Sequence, residues 1–240
     1  MTRRTWTTLL LTGAMVGYPV VGAWAQNAEA GPDEMSVVRV DFITGPATDA
    51  DAFEQLWKYL ECATLRGPST ALLARNGLRM GRLNTRFRKE FDKTLGELSK
   101  LRSVPHAVQM IPGRPQDFSI GPILKNRTLF VWKKADTFIG RQYPCSRHGL
   151  TLTARPTSPE ECQLTIAPQV RHGDALKDQL DLDFLVVSST LTVGESIVVS
   201  PAPGKPTGLG AAFYWGIERR GRQRTFVVIT LTGIRKAEPE

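Results

Sequence analysis

Thr225-Phe226-Val227-Val228-Ile229-Thr230-Leu231-Thr232-Gly233-Ile234 is the stretch on which the fold turns. Successive side chains of a strand point to opposite faces. Phe226, Val228 and Thr230 therefore share one face, and Val227, Ile229 and Leu231 share the other. Both faces are apolar over much of the segment. Such a strand is buried on both sides, in the middle of a sheet core.

Before it, short strand-like runs recur back to Pro105. They lie at 107–111, 128–132, 150–154, 162–170, 182–187, 196–199 and 212–217, with turn-forming Gly or Pro between many of them. Strands punctuated in this way predict an all-β module, sandwich-like or an open barrel. Upstream the texture differs. Val37 to Ile43 reads as a strand, Thr48 to Asp51 supply helix-capping chemistry, and Phe53, Leu56, Trp57 and Leu60 then fall on one helical stripe. Pro68-Ser69 opens a second short helix that Asn76-Gly77 closes. Phe87, Phe91, Leu95 and Leu98 form a third helical stripe, whose surrounding Arg and Lys residues read as a solvated face. The expected fold class is α+β. Its parts are a helical or mixed N-terminal part over 36–103 and a β-rich module over 104–240.

Composition sets the outer limits. The 240 residues are 41% hydrophobic and 22% charged, which excludes wholesale disorder. Gly (21) and Pro (16) are in modest excess and favour turns over a helical bundle. Downstream of the N-terminus no apolar run reaches the ~18 residues of a membrane span. That excludes a polytopic membrane protein built of helices.

The first residues read as an address. Arg3 and Arg4 precede an apolar stretch from Leu9 to Val21, and Ala23-Trp24-Ala25 follows. This is the pattern of a secretory signal peptide over 1–25, with a flexible leader over 26–35. Thr2 to Trp6 also partly matches a twin-arginine signal, so the export route stays open. Cleavage after Ala25 removes two arginines from a net charge of +8, leaving +6. The expected location is the periplasm or outer envelope. There the three cysteines meet oxidising conditions, and Cys145 with Cys162 is the preferred disulfide across adjacent strands. Three buried thiols acting as small hydrophobes are the alternative.

Chemistry is sparse. Arg147-His148-Gly149 and Arg171-His172-Gly173 invite comparison with histidine phosphatases, but no histidine follows His172 to complete such a site. The three histidines lack metal-ligand spacing. Gly204-Lys205-Pro206-Thr207 lacks the upstream glycine of a phosphate loop. No catalytic residue, metal or cofactor is therefore assigned. A candidate site for an anionic partner rests on Arg219, Arg220, Arg222 and Arg224, read as a basic hairpin turn, with Tyr214 and Trp215 nearby in sequence.

Four stretches then stand in a telling order. They are Gly149-Leu150-Thr151-Leu152-Thr153-Ala154-Arg155-Pro156, Gln163 to Val170, Gly194-Glu195-Ser196-Ile197-Val198-Val199, and Thr225 to Ile234. Their succession resembles the core module of bacterial secretins, the outer-membrane ring proteins of secretion and pilus systems. The resemblance implies a secretin-like fold or ancestry over about 149–234. Ser200-Pro201-Ala202-Pro203 replaces the family's Gly-Gly-Leu, and Gly233 stands where the family has proline. Together these features predict an exported, non-enzymatic envelope protein whose β-module serves protein association, with other envelope proteins or itself. The alternative is a basic module for anionic envelope polymers or lipid headgroups, with a hydrolase third. Nucleic acid is not an expected partner of an exported chain.

Overall fold

The computed structural model describes residues 34–47, 50–98, 100–134, 136–203, 208–215 and 223–236. The expected signal peptide and most of the expected leader lie outside them. Among the described residues twelve strands form two antiparallel sheets. One sheet runs in the order β2 (Leu60–Glu61), β3 (Leu78–Leu83), β10 (Ser196–Pro201), β12 (Gln223–Lys236), β1 (Glu34–Pro46) and β4 (Arg102–Met110), and β11 (Tyr214–Trp215) adds to β12. The other contains β5 (Gln116–Trp132), β6 (Phe138–Ser158), β7 (Glu161–His172) and β8 (Asp178–Gln179), with β9 (Val187–Thr192) also on β7.

The helical N-terminal part expected from the sequence is not there. Strands make up 58% of the structure and the helices are short. α1 (Ala50–Leu56), α2 (Thr70–Arg75) and α3 (Arg88–Glu97) have 7, 6 and 10 residues. Helices this short are marginal alone and need a sheet to pack on. The stripe Phe53-Leu56-Trp57 breaks before Leu60, which already begins β2. Nor do the two halves separate: β1 pairs along its length with β12, and β3 pairs with β10. The expected boundary near 103 falls inside β4.

The first sheet is the middle of three layers. Val227, Ile229 and Leu231 of β12 pack with Val38, Val40, Ile197 and Val199 against Leu150, Leu152, Leu164 and Ile166 of the second sheet. Phe226 and Val228 turn the other way, with Ile43 and Val198, onto Phe53 and Leu56 of α1 and Phe91 of α3. The two apolar faces of the closing strand thus meet two different layers. Each such side chain contributes about 1.5–3 kcal/mol relative to exposure.

Ion pairs close the corners. The β9–β10 turn is fixed by Glu195, only 2% exposed, whose carboxylate accepts from Thr192 N at 2.9 Å and from Arg82 at 2.5 Å. Burial raises that carboxyl, but these hydrogen bonds outweigh it and hold the pKa below the usual range. Gly194, at φ 95, supplies the left-handed turn beneath.

Candidate functional site

β5 and β6 pair from Gln116–Leu152 out to Trp132–Phe138, whereas β7 joins β6 only from Ser146 onward. Residues 124–132 and 138–145 therefore form a two-stranded arm beyond the body of the sheet. Thr128-Leu129-Phe130-Val131-Trp132 is made of good strand formers, and Lys133 N donates to Thr137 O at 2.8 Å to close its tip. At its base a register shift falls between Ile120 and Leu124, and Asn126 stands at φ 49. Bulged, left-handed positions twist a ribbon. The consequence shows on β6: even-numbered Ser146, His148, Leu150 and Leu152 are buried in the body, but in the arm the buried residue is odd-numbered Tyr143.

Leu129, Val131 and Tyr143 anchor the arm to the inter-sheet core. The opposite side carries Phe130 and Phe138, 50% and 51% exposed. Phe138 lies 6.0 Å from Phe130 and 5.0 Å from Trp132, ring centre to ring centre, and Gly140 leaves room for the Phe130 ring. The arm carries Lys125, Arg127, Lys133, Lys134 and Arg141 against one acid, Asp136. Arg141 lies over the Tyr143 ring, on the face opposite the two phenylalanines, and Lys133 lies over Phe184.

The two edges of the arm differ. Asn76, fully buried at the C-terminus of α2, accepts from Trp132 N and donates through Nδ2 to Trp132 O, both at 2.9 Å. This hook requires the chain to turn directly after it, which Gly77 does at φ 74. Farther along the same edge, Gly208 packs beside Phe130 O. The β6 edge has no such cover among the described residues.

The residues singled out from the sequence are placed elsewhere. Arg219, Arg220 and Arg222 lie outside the described residues, while Tyr214 and Trp215 pair in β11 with Arg224 and Gln223. Arg224 is no part of a solvated turn. Its side chain is 3% exposed, 3.3 Å from Glu54, donating to Pro201 O and stacked over Phe53. Glu54 also pairs with Arg79 at 2.6 Å, so Arg224 holds α1 to the sheet. The expected Cys145–Cys162 disulfide is not formed, and all three cysteines are free thiols. Cys162 sits opposite Pro156, at the far end of β6 from Cys145. Eleven strand positions correspond to roughly 36 Å, far past the ~7 Å bridging limit. Cys162 instead takes a hydrogen bond from Ser36 Oγ between the sheets.

The two Arg-His-Gly copies face each other across β6 and β7, with Arg147 directly opposite Arg171. Asp117 on β5 offsets that repulsion by binding Arg171 as well as Thr151 and Gln169. His148 points into the core, 5% exposed, with Ser146 Oγ at 3.4 Å. Burial lowers its pKa to about 4, so it is neutral. His172 stacks on Tyr143 at 4.6 Å with Asp178 3.9 Å away.

The chain matches no family model and no curated protein. Of the four secretin-resembling stretches, two form the β6–β7 hairpin of one sheet and two lie side by side as β10 and β12 of the other. A small cavity of about 220 Å³ opens beside Cys62, Arg66 and Ser69. Burial raises the Cys62 thiol above its ordinary pKa, with Arg79 opposing, so it is a poor nucleophile. Among the described residues no three His, Cys, Asp or Glu side chains are grouped to hold a metal, and no helix is long and apolar enough to cross a membrane. The feature that most calls for an external partner is the arm. The sequence reading has the first strand of the arm over 128–132 but not the second, whose run is interrupted by Gly140 and Pro144.

Proposed function

We propose that this is an exported, non-enzymatic envelope protein whose secretin-like β-module binds other proteins through the β5–β6 arm. The observation that supports the reading is the pair of half-exposed phenylalanines, Phe130 and Phe138, carried clear of the sheet body on a ribbon anchored by its other face. Exposed aromatics are among the residue types enriched where proteins meet, as are arginines such as Arg127 and Arg141 on the same ribbon. A photoreactive phenylalanine analogue at position 138 tests it in the exported protein. Crosslinked species of defined mass above the monomer are expected. Monomer alone after illumination overturns the reading.

A second reading keeps the same arm but gives it an anionic polymer or lipid headgroups as partner, favoured by its five cations against one acid. Salt-sensitive retention on a polyanion column without any protein crosslink would favour it.

A further inference from the structure

The hydrogen-bond pattern of the arm shows which backbone groups are spare. In an antiparallel pair, opposed residues alternate between exchanging both backbone bonds and pointing their N–H and C=O away from each other. Trp132 spends its N–H and C=O on Asn76, so the Trp132–Phe138 pair is of the outward kind. The next pair toward the tip agrees: Lys133 N bonds Thr137 O across the ribbon. Counting back by twos, Phe130–Gly140 and Thr128–Gln142 are outward pairs too. On β5 the outward groups face Asn76 and Gly208. On β6 the N–H and C=O of Phe138, Gly140 and Gln142 face an edge with no strand beside it among the described residues, since β7 begins to pair only at Ser146.

We infer that this edge of β6, from Phe138 to Gln142, accepts an extended acidic segment of a partner protein as an added strand. The inference rests on the protein-association reading and names its partner class. Three outward residues offer three donors and three acceptors at the spacing of a strand, which is the requirement of strand addition. Specificity comes from the flanks. Arg141 lies between two of the outward residues, and Lys133 and Lys134 stand at the tip. Opposite charges across neighbouring strands stabilise and like charges destabilise. A second copy of the chain would set Arg141 and its lysines against their own equivalents, whereas glutamates and aspartates would be matched. Phe138, on the same outer side as the exposed Phe130, gives the added strand an apolar side chain to pack against.

The test uses the whole mature chain and a synthetic decapeptide of alternating valine and glutamate, with amide hydrogen exchange read residue by residue. In the free protein the amides of Phe138, Gly140 and Gln142 should exchange fast, and those of Ile139 and Arg141 slowly. Saturating peptide should slow the three fast amides about tenfold, which corresponds to roughly nine-tenths occupancy. The same peptide N-methylated at every second residue, lacking the donors, should give no protection. A lysine version should also fail on the native chain and should gain binding to Arg141→Glu. Equal protection by the lysine peptide overturns the acidic assignment. Protection that rises with protein concentration alone overturns it in favour of a second copy. Protection by phosphatidylglycerol vesicles but not by peptide overturns it in favour of a lipid surface. No protection by any probe sinks strand addition at this edge. If crosslinks from position 138 persist in that case, protein association itself still stands, through side chains and not backbone. Loss of both removes both.

Discussion

β12 and the β5 half of the arm are written in nearly the same residues. Thr225-Phe226-Val227-Val228-Ile229 and Thr128-Leu129-Phe130-Val131-Trp132 are both runs of aromatic and branched side chains opened by threonine. Yet Phe226 is 3% exposed and Phe130 is 50% exposed. The difference lies in the neighbours. β12 has β10 and β1 at its edges, α1 and α3 on one face and the second sheet on the other. The arm has outrun β7 and has a core on only one side. Strand composition states that a segment suits a sheet. Topology decides how many of its sides are covered.

The largest effect that would break this contrast comes from removing β12. A chain lacking 225–234 should lose its cooperative thermal transition, because both cores lose their shared wall. A retained cooperative melt would show that the two layers fold without it. The next effect sits at the junction of body and arm. The unfolded His148 takes up a proton near pH 6.5, whereas the folded one resists until about 4. Between those values the unfolded chain binds more protons, so this contribution is whole above pH 6.5 and falls away as pH drops toward 4. The loss is about 3 kcal/mol at ~1.4 kcal/mol per pKa unit. Urea titrations of the native chain and His148→Leu should diverge in slope across that window. Parallel pH profiles would mean that the histidine protonates freely in the fold.

A smaller loss is expected from Glu195→Gln, which leaves Arg82 without its carboxylate at a site where the acid is buried and the arginine 23% exposed. The cost should be about 2 kcal/mol by chemical denaturation, below the range for fully buried pairs because water still reaches the guanidinium. A change under half of that would show that the turn is held by its backbone alone. Least of all should the arm matter to stability. Phe130→Ser with Phe138→Ser should stay within about 0.5 kcal/mol of the native chain and yet abolish crosslinking by an analogue at position 142. A double variant that unfolds would make these rings part of the core.

What the sequence made legible follows the same line. β12 and β10 were readable because burial on both sides leaves an unbroken apolar run, and α2 because Ser69 and Asn76-Gly77 mark its ends. β3 was not. Leu78-Arg79-Met80-Gly81-Arg82-Leu83 carries two arginines that look like solvent positions, but Arg79 is satisfied by Glu54 and Arg82 by Glu195, from distant parts of the chain. Arg224 misled for the same reason: a guanidinium beside a basic turn gives no local sign of the helix carboxylate that receives it. Leu182 to Val187 read as a strand, yet a single 3-10 turn at Asp183–Leu185 precedes β9. Its apolar residues are buried by a corner and not by a ladder. For the site, the aromatics of β5 were visible but the open edge was not. An edge is defined by a strand that is missing.

The partnership of β1 with β12 also fixes an order in time. Thr44 and Thr225 share a hydrogen bond across 181 positions of sequence. While the polypeptide is being made, β1 is among the first described segments to emerge and its central neighbour among the last. Until then neither core can close, and Val38, Val40 and Ile43 wait uncovered. Pairings this distant make folding slow and leave apolar strands exposed to wrong partners. A chain whose shared wall is completed by its last described strand thus needs shielding for longer than one whose neighbours are close in sequence.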